Sequence, residues 1–189
     1  MWVAFATVAQ AQVTAPPKPE LFPDPSKFSY GIYTAGELGA VTLLGPVHTH
    51  LRPGWGLGVT AGFDITRWLA VEARAVGSTH VTRFEGAPQD AELLQLYQLL
   101  GALRLSWRYR YLAFSANGDG GFLRTSTNVL ATANLNEKRM SAVFGGGLGV
   151  EYHTLSRHYA FGIRGSFLQA AGLGHSQLLV TTALMRYTF

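Results

Sequence analysis

Residues 178–189, LLVTTALMRYTF, decide the fold, because their side chains fall into two alternating sets up to the last residue. Successive side chains of a β-strand point to opposite faces. As a strand, this segment presents Tyr187 and Phe189 on one face and Arg186 on the other. The alternation therefore predicts a strand with one apolar, aromatic face and one polar face.

The same period of two recurs upstream, and the sequence predicts eight strands in all. We place them at about 29–43, 55–65, 68–79, 93–107, 111–123, 140–153, 159–168 and 178–189. The segment 93–107 is open to two interpretations, because its leucines also repeat at the spacing of a helical stripe. Its neighbours on both sides alternate as strands, which favours the strand.

Short and long connections alternate between these strands. Short turns fall near Asp64, near Arg108-Tyr109-Arg110 and near Leu155, and longer links fall near residues 46, 86, 134 and 172. In membrane barrels the periplasmic turns are short and the external loops long. An even number of strands then puts both termini on the periplasmic side. Aromatic residues fall near the same rim, as an interfacial girdle requires: Trp68, Trp107, Tyr111, Tyr152, Tyr159, Tyr187 and Phe189.

Composition excludes several classes of protein. The 189 residues include no cysteine, so a disulfide, a thiolate nucleophile or a cysteine metal site is impossible. No stretch reaches the roughly 20 apolar residues of a spanning helix, so a membrane-spanning structure here has to be a closed barrel. The net charge of +4 comes from scattered arginines, which does not support a nucleic-acid partner.

With its eight strands and aromatic terminus, the chain resembles the small eight-stranded outer-membrane β-barrels typified by the OmpA transmembrane domain. The resemblance implies an all-β, antiparallel, up-and-down transmembrane barrel in the outer membrane of a Gram-negative-type bacterium. It also implies that Tyr187 and Phe189 form an assembly signal read by the barrel insertion machinery. The expected partners are outer-membrane lipid, that machinery and other envelope proteins.

Three regions are expected along the chain. Residues 1–11 are apolar and end in a small-x-small pattern, which predicts the remnant of a signal peptide. Residues 12–27 are rich in proline and predict an extended periplasmic linker. Residues 28–189 are expected to form the barrel.

Charged residues of both signs fall on the inward face of the predicted strands. An eight-stranded barrel has room inside for side chains and little more, so we expect these charges to pair across the lumen and close it, with Glu72 and Arg104 at similar depth. The expected network comprises Glu37, Glu72, Arg74, Arg104, Asp119, Glu151, Arg164 and Arg186.

The sequence favours a non-enzymatic protein with a structural or envelope-interaction role, and no catalytic, cofactor-binding or metal-ligating residue is assigned. A narrow pore for small solutes is the alternative. A lipid A-modifying enzyme is a third possibility, which would need a His and Ser at one rim. The candidates are His153 with Ser156, at a predicted periplasmic turn, and His175 with Ser176, without an obvious acidic partner. His48 and His50 lack a third ligand for a metal.

Overall fold

Side chains alternate between buried and exposed along eight strands in the computed structural model, which describes residues 31–45, 48, 50–82, 93–126, 139–154, 158–173 and 176–189. The strands are β1 (Ile32–Leu44), β2 (Gly54–Asp64), β3 (Leu69–Val81), β4 (Leu93–Tyr109), β5 (Leu112–Thr125), β6 (Met140–His153), β7 (Tyr159–Ala170) and β8 (Gln177–Thr188). Each strand pairs antiparallel with the next, and β8 pairs with β1 to close the barrel. The predicted fold class is confirmed.

Strand β4 decides between the two interpretations of its leucine-rich sequence. It runs for 17 residues, and its side chains alternate between exposed and buried along most of that length. Leu94 and Leu96 face the interior, whereas Leu93 and Leu99 face outward. The helical alternative is wrong, because the leucines divide between two faces of one strand.

The connections alternate in length around the barrel. At one end, residues 65–68, 110–111 and 154–158 join consecutive strands, and at the other end the longer links 45–53, 82–92, 126–139 and 171–176 do so. One predicted turn is displaced. Tyr109 pairs with Leu112, so β4 extends further than predicted and the turn consists of Arg110 and Tyr111. Arg110 adopts a φ of 55°, the left-handed conformation that tight hairpin turns need.

The predicted signal-peptide remnant (1–11) and the proline-rich linker (12–27) lie outside the described residues and stay predictions, as do residues 28–30 of the expected barrel region. Over the part of the chain that the structure describes, no helix is long and apolar enough to cross a bilayer.

Candidate functional site

The interior of the barrel is the candidate functional site, because it collects nearly all the charge of the strands. Every charged residue predicted to face inward is buried, with an exposed fraction of at most 7%. They come from seven of the strands: Glu37 from β1, Glu72 and Arg74 from β3, Arg104 from β4, Asp119 from β5, Glu151 from β6, Arg164 from β7 and Arg186 from β8.

Midway along the barrel, two arginines contact the same two glutamates. Arg164 Nη1 lies 3.2 Å from Glu37 Oε1 and 3.2 Å from Glu72 Oε2. Arg74 contacts the same carboxylates, with Nε 3.5 Å from Glu37 Oε1 and Nη2 3.5 Å from Glu72 Oε2. Its Nη2 also lies 3.7 Å from Asp119 Oδ1. Since each glutamate touches both arginines, removal of any one charge changes the balance for the rest.

Nearer the short turns, two arginines and two acids form a ring. Arg104 Nη1 lies 2.7 Å from Glu151 Oε1, and its Nη2 lies 3.3 Å from Asp64 Oδ1. Arg186 contacts the same two acids, at 2.7 Å to Asp64 Oδ2 and 3.5 Å to Glu151 Oε2. Charges held at these distances and shielded from water attract one another strongly, although their burial has a desolvation cost.

Tyr33 connects these two groups of charges. Its hydroxyl donates a hydrogen bond to Glu72 Oε1 at 2.7 Å, and its ring lies 3.6 Å from the guanidinium carbon of Arg186. The ring packs over Gly62 on the neighbouring strand, where a Cβ atom would overlap it. Glycine at this position therefore makes room for the tyrosine. Arg104 Nε lies 3.2 Å from Glu72 Oε1, the pair predicted to share a depth.

The predicted network omitted three members. Asp64 was placed on the polar face of the strand 55–65 and in the turn that follows it, and it ends β2 with its side chain inside the barrel. Arg108 was placed on the inward face and in the displaced turn, and its Nη2 lies 4.0 Å from Asp64 Oδ2. Tyr33 shares the inward alternation of Glu37. The signal for all three residues was therefore present in the sequence.

The half of the interior nearer the long links is mainly apolar, which the sequence reasoning did not anticipate. Leucine, valine and alanine side chains from six strands and two links fill it, with exposed fractions of 6% or less. They are Val41, Leu43, Leu51, Leu94, Leu96, Leu100, Leu123, Val143, Leu168, Ala170, Leu173, Leu178 and Val180. We call this set the apolar layer. The charged network described above, which lies between the apolar layer and the short turns, is called the charged layer. Leu51 and Leu173 belong to links, so the links themselves help to close this end.

Of the histidines and serines considered for catalysis, the structure describes one member of each pair, His153 and Ser176. His153 points into the charged layer, with Nε2 3.8 Å from Glu151 Oε2. Ser176 is fully buried, and Ser156 and His175 lie outside the described residues. The described part of the chain contains no group of three or more potential metal ligands, His48 and His50 included.

A serine–histidine pair that the sequence analysis did not single out lies near the long links. Ser78 Oγ is 3.0 Å from His80 Nε2, and His80 Nδ1 is 3.1 Å from the carbonyl oxygen of Arg52. A nucleophile, a base and a group that orients the base have this arrangement. Here His80 is fully buried and Ser78 is 4% exposed, so a substrate cannot reach them in this conformation. The contacts instead hold Arg52 against β3.

The outer face of the barrel is mainly apolar, whereas most charged side chains of the strands lie in its interior. Large apolar side chains from all eight strands are exposed on it, among them Leu57, Leu99, Leu148 and Ile163. Aromatic rings cluster at the end with the short turns. The centre of the Tyr187 ring lies 5.0 Å from the centres of the Tyr159 and Phe189 rings, and the centres of the Tyr111 and Tyr152 rings are 6.0 Å apart. An apolar belt bordered by aromatic residues is the surface that a bilayer requires.

Comparison with known proteins supports the same class. No protein-family model and no curated protein sequence matches the chain. Several solved structures do match. Neisserial surface protein A (NspA) has a TM-score of 0.66 and a sequence identity of 12%, and the match covers 84% of this chain and 97% of NspA. For Ail, the attachment invasion locus protein of Yersinia pestis, the TM-score is 0.53, the identity 9% and the coverage 85% of this chain and 100% of Ail; for the outer-membrane enzyme PagL, the TM-score is 0.50, the identity 10% and the coverage 83% of this chain and 99% of PagL.

At these identities the likeness concerns the fold. The chain has the fold of the small eight-stranded outer-membrane barrels of Gram-negative bacteria. Because its outer face is an apolar belt and its polar groups are turned inward, the barrel is suited to that membrane and not to water.

Proposed function

We propose that this protein is a closed, non-catalytic outer-membrane barrel that acts as a structural anchor for envelope interactions. The observation that supports the proposal most directly is the filled interior, in which an apolar layer lies above a charged layer. At the mouth near the short turns, the space lined by Arg104, Arg108, Ser115 and His153 has no room for a water molecule. A barrel that serves as an anchor requires a rigid body and no passage for solutes through its interior.

Each layer opposes conduction for a different reason. Ions entering from the short-turn end meet arginines and carboxylates that already pair with one another at 2.7–3.7 Å. Ions or water entering from the other end meet leucine side chains that offer no hydrogen bond. A narrow pore, the alternative function, would require both layers to rearrange.

Solute efflux tests the closed barrel. The purified protein is refolded into liposomes loaded with a small sugar, and its heat-dependent migration on a gel confirms that it is folded. We expect efflux no faster than from liposomes without protein. Efflux that rises in proportion to the amount of folded protein would overturn the proposal and favour the pore.

An enzymatic role is the second candidate, because PagL shares the fold and because Ser78 and His80 lie within hydrogen-bonding distance. Burial of both residues argues against it. A fluorophosphonate probe, which labels activated serines, should leave the folded protein unlabelled. Labelling that disappears in Ser78→Ala but persists in Ser166→Ala would establish a reactive serine and contradict a non-catalytic role.

We propose further that Tyr187 and Phe189 are recognised by the barrel insertion machinery. Phe189 is exposed on the aromatic rim, and its backbone nitrogen donates a hydrogen bond to the Ile32 carbonyl at 3.1 Å, beside the seam between β8 and β1. Deletion of Phe189 should lower the amount of assembled barrel in cells more than deletion of residues 14–18. Equal assembly of the two variants would contradict this role.

A further inference from the structure

The outer face of the barrel carries very little charge. Of the side chains that the described strands direct outward, a single one is charged, that of Arg124 near the end of β5. The other charged residues of the strands face inward. A charge on the lipid-facing side of a barrel is costly at the centre of the bilayer and is tolerated near the interfaces. The position of Arg124 therefore marks an interface.

The long links place that interface on the external side, because external loops are longer than periplasmic turns in membrane barrels. Arg124 lies one residue before the end of β5, at the barrel end with the long links, and Phe122 lies below it in the belt. The opposite rim carries exposed aromatic residues and no outward charge among its described strand residues. The two rims are thus suited to leaflets with different headgroups.

One neighbour of Arg124, Gln95, adds a hydrogen-bond donor group. Tyr97 is directly opposite Arg124 in the pairing of β4 with β5. The Tyr97 hydroxyl donates a hydrogen bond to Gln95 Oε1 at 2.7 Å, which occupies the carbonyl oxygen of that amide and leaves its NH2 group as a donor. Met140 is opposite Arg124 on β6. Among the described residues, no carboxylate forms an ion pair with Arg124.

We propose that Arg124, together with the NH2 group of Gln95 that Tyr97 orients, binds a phosphate group of a glycolipid in the outer leaflet. A guanidinium forms paired, charge-assisted hydrogen bonds with a phosphate. The acyl chains of the same lipid would lie against the apolar belt below, where Leu99 and Phe122 are exposed. A lipid, unlike a free anion, satisfies both the charge and the adjoining apolar surface.

A binding titration tests the site in the intact barrel. The probe is a fluorescent diphosphorylated glucosamine disaccharide lipid added to the refolded protein in detergent micelles. Arg124→Gln should bind it roughly tenfold more weakly, as the loss of one charge-assisted hydrogen bond implies. Arg124→Lys should be intermediate, because it keeps the charge and loses the paired geometry. Arg67→Gln, at an exposed arginine on a short turn, is the matched control and should bind as wild type does.

Every outcome bears on the proposal. Unchanged affinity in Arg124→Gln, or equal affinity for the same lipid without its phosphates, would overturn it. Displacement of the lipid by an equal concentration of inorganic phosphate would assign the site to a free anion instead. Binding of an acidic peptide that depends on Arg124, with lipid binding unaffected by the substitution, would assign it to a protein partner.

Discussion

The two layers of the interior close the same barrel by opposite means. In the charged layer, side chains from all eight strands lie at distances fixed by hydrogen bonds and ion pairs, such as Arg104 to Glu151 at 2.7 Å. In the apolar layer, Leu96 and Leu168 are fully buried without any directional contact. A substitution in the charged layer leaves a partner charge without compensation, whereas a substitution in the apolar layer leaves a void. The two layers should therefore respond differently to the same kind of change.

Arg104→Leu is expected to have the largest effect on stability. Arg104 contacts three carboxylates, those of Asp64, Glu72 and Glu151, and a buried charge without its partner typically costs about 3–5 kcal/mol. Glu72→Leu alone should also destabilise, and the double variant should recover part of the loss. Urea unfolding of the barrel in lipid vesicles measures the free energies of the double-mutant cycle. Strict additivity would show that these two residues are not coupled.

Leu96→Ala tests the apolar layer, with a smaller expected loss in the lower part of the range of about 2–5 kcal/mol for a truncated core leucine. Leu96 is fully buried, so the residual cavity decides the size of the effect. Leu99→Ala, at an outward position of the same strand, is the matched control. Comparable unfolding free energies for both variants would mean that the apolar layer does not act as a packed core.

Gly62→Ala has the smallest expected effect, about 1–3 kcal/mol, because the added methyl group overlaps the Tyr33 ring and forces it to move. Gly118→Ala is the control, since its Cβ would meet no atom within 4 Å. The same unfolding titration compares the two variants. If Gly62→Ala is as stable as Gly118→Ala, the Tyr33 ring is not fixed between the glycine and Arg186.

The charged layer was largely predictable from the sequence, and the apolar layer was not. A glutamate or arginine among apolar neighbours identifies the inward face of a strand, and this reasoning placed Glu37, Glu151 and Arg186 inside the barrel. Leucine occurs on both faces of β4, so Leu93 and Leu94 look alike in the sequence although one faces outward and the other inward. Their type does not separate them, and only the parity that Arg104 sets along the strand assigns Leu94 to the interior.

The ends of strands were the other source of error. Asp64 and Arg108 fit both the inward face of a strand and a turn, because polar residues next to a turn have two possible explanations in the sequence, and neither was included in the predicted network. The pairing of Tyr109 with Leu112 and of Asp64 with Ala70 assigns both polar residues to strands, and both side chains join the charged layer. The assignment follows from the cross-strand register, which cannot be read from the local sequence.

The central claim is that either layer is sufficient to close the barrel. Single-channel recordings in a planar bilayer test it with the wild type, with a charged-layer variant (Asp64, Arg104, Glu151 and Arg186 all replaced by Ser), with an apolar-layer variant (Leu94, Leu96, Leu168 and Leu178 all replaced by Ala), and with the combination. Folding of each is checked by gel migration before and after heating. We expect no conductance steps from the wild type or from either single-layer variant, and steps only from the combined variant. Stable steps from the wild type or from either single-layer variant would contradict the claim.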